Sequence, residues 1–219
     1  MVHRLLAELI PGDIYVVGDM EIALQAAFAD GPGVIVIAGT GSIAYGRDAA
    51  GQTARAGGWG FAISDEGSGH WIGRQAVAIA VRESGQGDTC LLKAIATAWN
   101  VEGHEQVVLA ANATPPPDFA ALLPVVLQAA EKNNQQSRAV LTRAGEELSA
   151  LAKRVTQRLS PGTTGVPVAM SGGVFANSSL VREVFYNSLH SEFADLALSP
   201  SVIEPVQGAL QLARKGTRR

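Results

Sequence analysis

The positions of apolar residues along the chain predict strands that alternate with helices. Residues 34–38 form a continuous apolar run rich in β-branched side chains, which is typical of a strand covered on both faces. A helix over residues 137–159 is predicted by an apolar stripe with a period near 3.6 residues: Val140, Leu141, Ala144, Leu148, Leu151, Val155 and Leu159. Because strands and helices alternate, we predict an α/β fold with a largely parallel sheet.

Weaker patterns between turn signals predict the remaining elements. Short strands are expected at residues 14–17, 43–46, 166–170 and 196–198. Residues 56–68 are rich in glycine and are expected to be irregular. Helices are expected at residues 4–10, 20–29, 70–83, 118–132, 179–189 and 204–214, with two more within 87–111.

Composition and charge limit the class of protein. The chain has 219 residues, 47% of them apolar and 17% charged, which is a globular balance. A formal net charge of -3 disfavours nucleic acid as a partner. Cys90 is the one cysteine, so an internal disulfide framework and a multi-thiolate metal site are excluded. The sequence shows no membrane-spanning run and no signal-peptide pattern, so we expect a cytoplasmic protein without a membrane partner.

Two features near the start of the chain could carry chemistry. Asp19 lies where a predicted strand gives way to a helix, so it is either a helix N-cap or a carboxylate at the mouth of an α/β cleft. The Gly-Thr-Gly-Ser segment at residues 39–42 is either a β-turn or a cradle whose N–H groups bind a polyphosphate. No lysine follows this segment, so it is not a Walker A loop.

Two further glycine-rich segments can each be interpreted as structural or as ligand-binding. Trp59 lies among three glycines and is followed by Asp-Glu-Gly-Ser at residues 65–68. The ring is either part of the core or a platform for a sugar face, and the acidic pair either complements a helix N-terminus or binds hydroxyl groups. Residues 171–173, Ser-Gly-Gly, form either an ordinary turn after a buried strand or a close backbone approach to adenine or ribose.

The order of these segments resembles that in the N-acetylglucosamine kinase and BadF/BadG/BcrA/BcrD ATPase family. The resemblance covers nearly the whole chain in the blocks VVGDMEIAL, VIVIAGTGSIAYG, AGGWGFAISDEGSGHWIGRQAV, RAGEEL, VPVAMSGGV and EPVQGALQLA. It implies a ribonuclease-H-like, actin-like ATPase fold in which ATP and sugar bind between two lobes. On this basis residues 31–203 are the second lobe, and residues 1–30 and the C-terminal helix at 204–219 are remnants of the first.

The resemblance also implies roles for individual residues. Asp19 matches the catalytic base that takes the proton from the 6-hydroxyl of the sugar, and Trp59, Gly60 and Asp65 match sugar contacts. The implied ATP-binding residues are Gly39, Thr40, Gly41, Ser42, Gly145, Gly172 and Gly173, with Gly145 beside the adenine. ATP and Mg²⁺ are the implied cofactors, no protein residue is assigned as a metal ligand, and a homodimer is a possible assembly.

The implied reaction is phosphorylation of N-acetylglucosamine, or a related amino sugar, at the 6-hydroxyl. The family's Asp-Gly-Gly-Gly-Thr phosphate loop, which also organises Mg²⁺, does not occur in the sequence. We therefore expect a fragment, a misassigned start codon or a degenerate paralogue. Such a chain is expected to be a poor kinase and to expose apolar surface on its first-lobe segments.

Two alternatives to the kinase remain. One is an ATPase that activates an enzyme with an iron–sulfur cluster, which a single cysteine disfavours because such clusters usually need four thiolates. The other is a second-lobe remnant that binds sugar or nucleotide without turnover.

Overall fold

One five-stranded mixed sheet organises the protein, seen here in a computed structural model that describes residues 14, 16–83, 89–159 and 166–216. The strand order is β3-β2-β1-β4-β5. The strands are β1 (Gly33–Ala38), β2 (Ser42–Arg47), β3 (Thr53–Gly57), β4 (Val168–Ser171) and β5 (Leu198–Ile203). The β1–β2 and β2–β3 pairs are antiparallel, and the β1–β4 and β4–β5 pairs are parallel.

The helices pack on both faces of this sheet. They are α1 (Asp19–Phe28), α2 (Gly69–Glu83), α3 (Cys90–Trp99), α4 (Gly103–Ala111), α5 (Leu123–Glu131), α6 (Gln135–Leu159), α7 (Gly173–Asn177), α8 (Ser179–His190) and α9 (Pro205–Gly216). A single 3-10 turn at Ala120–Leu122 precedes α5. None of the helices in the described ranges is long and apolar enough to cross a membrane.

The central strand β1 is covered on both faces, as its continuous apolar run predicts. Ile35 belongs to a small cluster with Ala23 and Leu24 of α1. Val34 and Val36 point to the opposite face and join the main core, because successive side chains of a strand alternate between faces. The main core also contains the apolar stripe of α6, in which Leu159 alone is only partly buried.

The sheet is mixed, so the prediction of a largely parallel sheet is wrong. Strands β1, β2 and β3 follow one another through short turns, and short turns permit only antiparallel pairing. Strand β3 itself was expected to be irregular from residue 56. The glycines that predicted an irregular segment lie at the end of β3, where Gly57 and Gly58 adopt positive φ angles of 75° and 70°.

Other boundaries differ from the sequence prediction at the two ends of the chain. Strand β5 occupies Leu198–Ile203 rather than 196–198, and it pairs with β4 through an irregular register. Residues 14, 16 and 17 form no strand, and the side chain of Val16 is 53% exposed, because the described sheet offers this segment no neighbouring strand. The helix predicted at residues 4–10 lies outside the described residues.

Helices α1 and α9 lie side by side and run in the same direction. Gly208 of α9 makes the closest approach, because a Cβ atom there would lie 2.0 Å from the carbonyl oxygen of Ile22. Lys215 Nζ lies 2.6 Å from Asp30 Oδ1, and this hydrogen bond holds the pKa of Asp30 below its ordinary value. Val206 and Leu210 on the same helix are exposed, which agrees with the apolar surface expected there.

We predict that Gly208→Ala lowers the free energy of unfolding by about 1–3 kcal/mol, because the added methyl group overpacks the contact with α1. Urea unfolding followed by circular dichroism measures the change. Gln207→Ala, at an exposed position of the same helix, should leave the free energy nearly unchanged. Equal stability of both variants would mean that α9 does not pack on α1 in this way.

Candidate functional site

The carboxyl ends of β1 and β4 meet at one edge of the sheet. Because the two strands are parallel with Ile37 opposite Ser171, the residues that follow them emerge together. Gly172 has a φ of 98°, and a Cβ atom there would lie 2.4 Å from the carbonyl oxygen of Ala38. This approach therefore requires glycine. The loop after β1 and the Gly172–Gly173 turn, predicted as separate ATP-binding segments, are adjacent at the edge where open α/β sheets bind ligands.

Asp19 lies at the same edge of the molecule. A short turn at residues 29–32 joins α1 to β1, so α1 runs back along the strand and its first turn lies toward the carboxyl end of β1. Gly18 occupies the N-cap position, so the alternative that Asp19 caps the helix is wrong. The carboxylate of Asp19 is exposed, and its Oδ1 accepts a hydrogen bond from the Met20 N–H at 2.8 Å.

The buried carboxylate of Asp65 anchors the loop at residues 39–42. The Ser42 N–H donates to Asp65 Oδ1 at 3.2 Å, and the Ser42 hydroxyl donates to the Glu66 carbonyl oxygen at 2.8 Å. A Cβ atom on Gly41 would lie 3.1 Å from Asp65 Oδ2, so the carboxylate lies directly against the loop. Asp65 was predicted as a sugar contact, and the structure brings it together with the predicted phosphate loop.

The first turn of α2 engages the carbonyl groups of the same loop. The Gly69 N–H donates to the Gly39 carbonyl oxygen at 2.8 Å, and the His70 N–H donates to that of Thr40 at 3.2 Å. Within the described ranges, the N–H groups of Thr40 and Gly41 make no hydrogen bond to protein. The loop is thus held through its carbonyls and through Ser42, and it retains backbone donors of the kind that bind phosphate.

Trp59 lies on the surface, so the alternative of a core position is wrong. Its side chain is 57% exposed, and the guanidinium carbon of Arg55 lies 3.9 Å from the ring centroid in a cation–π contact. Gly60 follows with a φ of 86° and open space around the position of a Cβ atom. The Ser64 N–H donates to the Gly60 carbonyl oxygen at 2.9 Å, and this turn leads the chain into Asp65.

The remaining glycines predicted to bind ATP have different surroundings. A Cβ atom on Gly145 of α6 would lie 2.8 Å from Val184 Cβ and 2.9 Å from the Val181 carbonyl oxygen, both on α8. Helix packing therefore accounts for this glycine, and its role beside the adenine stays a prediction. Gly173 begins α7 with only the Asn177 amide nitrogen nearby, at 3.9 Å, so its surroundings are open.

Two residues near this site were missed by sequence reasoning. Arg55 was missed because β3, the strand that places it beside Trp59, was not predicted. The ring of His70 lies between the rings of Phe61 and Phe119, at centroid distances of 4.9 and 5.2 Å. Burial, and then the charge of Arg74, lowers the pKa of His70 below its ordinary value, which favours the neutral ring. The sequence holds no signal that joins Phe119 to this histidine.

Solved structures with the same fold include sugar kinases, proteins described as such and a ROK family transcriptional regulator. A Chromobacterium violaceum protein provisionally described as an N-acetylglucosamine kinase matches with a TM-score of 0.73 and 29% identity, over 96% of this chain and 70% of that one. A Porphyromonas gingivalis protein described in the same way matches with a TM-score of 0.76 and 21% identity, over 99% and 73%. A ROK family glucokinase from Streptomyces griseus matches with a TM-score of 0.58 and 14% identity, over 96% and 71%. The fold is the α/β fold of the actin-like ATPases.

The family follows from the sequence comparisons. The model of the BadF/BadG/BcrA/BcrD ATPase family matches residues 3–213, and the chain belongs to this family of enzymes. An N-acetylmuramic acid/N-acetylglucosamine kinase of Clostridium acetobutylicum is 33% identical over 207 residues, which are 93% of this chain and 68% of that protein. An N-acetyl-D-glucosamine kinase of Dictyostelium discoideum is 24% identical, over 83% of this chain and 59% of that protein. These matches support a sugar-kinase role.

We predict that Asp65→Ala and Asp65→Gly each lower the free energy of unfolding by about 1–3 kcal/mol, because the buried Ser42 N–H loses its acceptor. Asp65→Asn should retain most of the stability, since its amide oxygen can accept the same hydrogen bond. Chemical unfolding of the three variants measures the difference.

The glycine variant separates the hydrogen bond from the backbone conformation. Asp65 has a φ of 71°, which glycine adopts without steric strain and alanine does not. Stability equal to that of the unaltered protein in Asp65→Gly would show that the carboxylate does not anchor the loop.

Proposed function

We propose that the protein is an ATP-dependent kinase of amino sugars, which phosphorylates N-acetylglucosamine or a related sugar at its 6-hydroxyl. The observation that carries the proposal is the shared edge of the sheet. There the parallel β1–β4 pair brings the 39–42 loop beside Gly172, and the first turn of α1 with Asp19 lies toward the same edge. Family membership and the named kinases among the relatives favour this chemistry over other uses of such an edge.

The phosphates of ATP are assigned to the loop after β1. The N–H groups of Thr40 and Gly41 supply donors, and the Thr40 side chain is exposed. The anchoring of Ser42 by Asp65 and Glu66 holds these donors in place before the nucleotide binds, so less ordering is needed on binding. Gly172 and Gly173 provide backbone without side chains for the adenosine.

The sugar is assigned to Trp59, Gly60 and Asp65. Asp65 Oδ1 is engaged by Ser42, whereas Oδ2 accepts no hydrogen bond from the described residues and can accept one from a sugar hydroxyl. The exposed ring of Trp59 offers a flat apolar surface, and the open space at Gly60 allows a ligand to approach the backbone.

The proposed reaction is a direct phosphoryl transfer. The oxygen of the 6-hydroxyl attacks the γ-phosphorus of ATP, the bond between this phosphorus and the β–γ bridging oxygen breaks, and ADP leaves. Asp19 accepts the hydroxyl proton as the new oxygen–phosphorus bond forms. Such transfer depends mainly on positioning and charge stabilisation, so the loop donors matter at least as much as the base.

In the proposed reaction, Mg²⁺ enters the site with the nucleotide. No group of three or more His, Cys, Asp or Glu side chains in this part of the chain could hold a metal. Mg²⁺ in kinase sites is bound largely by phosphates and water, and it neutralises charge on the transferring group when bound.

In an intact enzyme that also carries the Asp-Gly-Gly-Gly-Thr loop, we predict that Asp19→Asn lowers kcat about 10²–10⁴-fold, because the general base is lost, and leaves the KM for the sugar within a small factor. ADP release with ATP, Mg²⁺ and N-acetylglucosamine measures turnover, and mass spectrometry identifies the 6-phosphate. Glu21→Gln removes another acidic side chain from the first turn of α1 and is the matched control. An unchanged kcat in Asp19→Asn would remove the base from the mechanism. Binding of both ligands by the unaltered protein without turnover would favour the alternative of a lobe that only binds.

We also predict that, in a full-length homologue that carries the same blocks, Trp59→Ala raises the KM for the sugar about tenfold and leaves the KM for ATP nearly unchanged, since only the sugar stacks on the ring. Trp59→Phe should restore part of the affinity. Arg55→Gln, which removes the cation from the ring and keeps the ring itself, is the control. An equal loss for both substrates in Trp59→Ala would contradict a sugar contact.

A further inference from the structure

A groove on the outer side of α2 is not used by the proposed reaction. It has a volume of about 410 Å³ and lies between α2, α4 and the segment that precedes α5. Its walls are mainly apolar: Phe61, Val77, Val81, Val108, Pro116 and Phe119. Small-molecule sites typically have volumes of about 300–1,000 Å³ and apolar walls with a few polar groups, and the groove has both properties.

The residues that line the groove include one permanently charged side chain, that of Arg74. Arg74 is exposed and makes no hydrogen bond or ion pair with the part of the chain that the structure describes. No Asp or Glu side chain lines the groove, although the carboxylates of Asp65 and Asp118 act on the His70 ring beside Arg74, whose pKa is lowered mainly by burial. A guanidinium at the end of an apolar groove favours a ligand with one anionic group and an apolar body.

A smaller neighbouring cavity suits a different class of ligand. Its volume is about 120 Å³, it shares Phe61, His70 and Arg74 with the groove, and it also contains Ser64 and Glu66. The carboxylate of Glu66 repels an anion there, whereas the walls of the larger groove carry no negative charge. The anionic ligand therefore fits the groove and not this cavity.

The groove also contacts the loops of the proposed kinase site. The His70 ring forms part of its wall, while the His70 N–H donates to the Thr40 carbonyl oxygen in the 39–42 loop. Phe61, which packs against the His70 ring, belongs to the segment between Trp59 and Asp65. A ligand in the groove would touch the supports of both loops without occupying either.

We propose that this groove binds a small monocarboxylate with an apolar body, held by Arg74, at a place separate from the sugar and the phosphates. A carboxylate matches the single guanidinium, which can donate two parallel hydrogen bonds to its oxygens. An aromatic or branched apolar group on the ligand would pack against the apolar walls of the groove. The proposal does not depend on turnover by the protein.

The test is a binding titration of the full 219-residue chain with phenylacetate, followed by NMR chemical shifts. Phenylacetate should bind, 2-phenylethanol should bind about tenfold more weakly, and phenethylamine more weakly still, because only the acid pairs with the guanidinium. Arg74→Gln should weaken phenylacetate about tenfold and leave 2-phenylethanol unchanged. Lys93→Gln, which removes an exposed cation from α3 outside the groove, should change neither.

A second variant tests the place of binding. Ala78→Leu narrows the groove and keeps the charge, so it should weaken both the acid and the alcohol. Unfolding curves like that of the unaltered protein confirm that each variant is folded. N-acetylglucosamine and ATP should not compete with phenylacetate, whether or not the protein proves to be a kinase.

Several results would overturn the proposal. Phenylacetate could fail to bind at millimolar concentration, or it could bind no more tightly than phenethylamine. Arg74→Gln could bind phenylacetate as tightly as the unaltered protein does, or N-acetylglucosamine could compete with phenylacetate. Light scattering that shows a dimer which Ala78→Leu disrupts would also overturn it, because the groove would then be covered by a second copy of the chain.

Discussion

The parallel pairing of β1 with β4 is the interaction on which the candidate site depends. Two strands that run in the same direction deliver the residues after them to one edge of the sheet, although the loop at 39–42 and the turn at 172–173 are far apart in the chain. Both strands are buried on both faces, so a slip by one residue would exchange the side chains that pack on each face and disturb their fit. The hydrophobic core thereby fixes the register, and the register sets the distance between the two segments.

Asp65 adds a polar constraint to this apolar framework. Burial of a carboxylate is costly unless hydrogen bonds compensate for the lost water, and Asp65 is only 8% exposed with a positive φ. The Ser42 N–H provides part of the compensation and in return fixes the loop. Residues that combine burial, charge and an uncommon backbone conformation are frequent at functional sites, which agrees with the sugar-binding role proposed for Asp65.

The same edge explains how one fold can serve several sugar kinases. The site is made of turns and helix ends that follow strands, whereas the sheet and the long helix α6 supply its rigid support. Changes in the turns can alter the ligand while the core is kept. The exposed side chains of Trp59, Phe61 and Ile63 lie together in one such turn, outside the core, where substitutions affect binding more than stability.

The sequence by itself determined the central strand, the long helix and the family. Those elements have long or continuous apolar patterns, and local spacing is enough to show which face is buried. The glycine-rich blocks were specific enough to indicate the family, and the roles proposed for Asp19 and the 39–42 loop rest on that resemblance. The sequence also left the surroundings of Trp59 and Asp19 open between two alternatives each.

Only the tertiary structure showed that Trp59 is exposed and that Gly18 is the N-cap, and only it identified the neighbours of these residues. Strand β3 has a weak pattern of its own and exists because β2 pairs with it, so the contact of Arg55 with Trp59 could not be foreseen. The contact of Asp65 with Ser42, the packing of Gly145 against α8 and the row of rings around His70 all join residues distant in the chain. Contacts of this kind depend on how elements pack together, and local patterns of hydrophobicity and turn residues do not encode that packing.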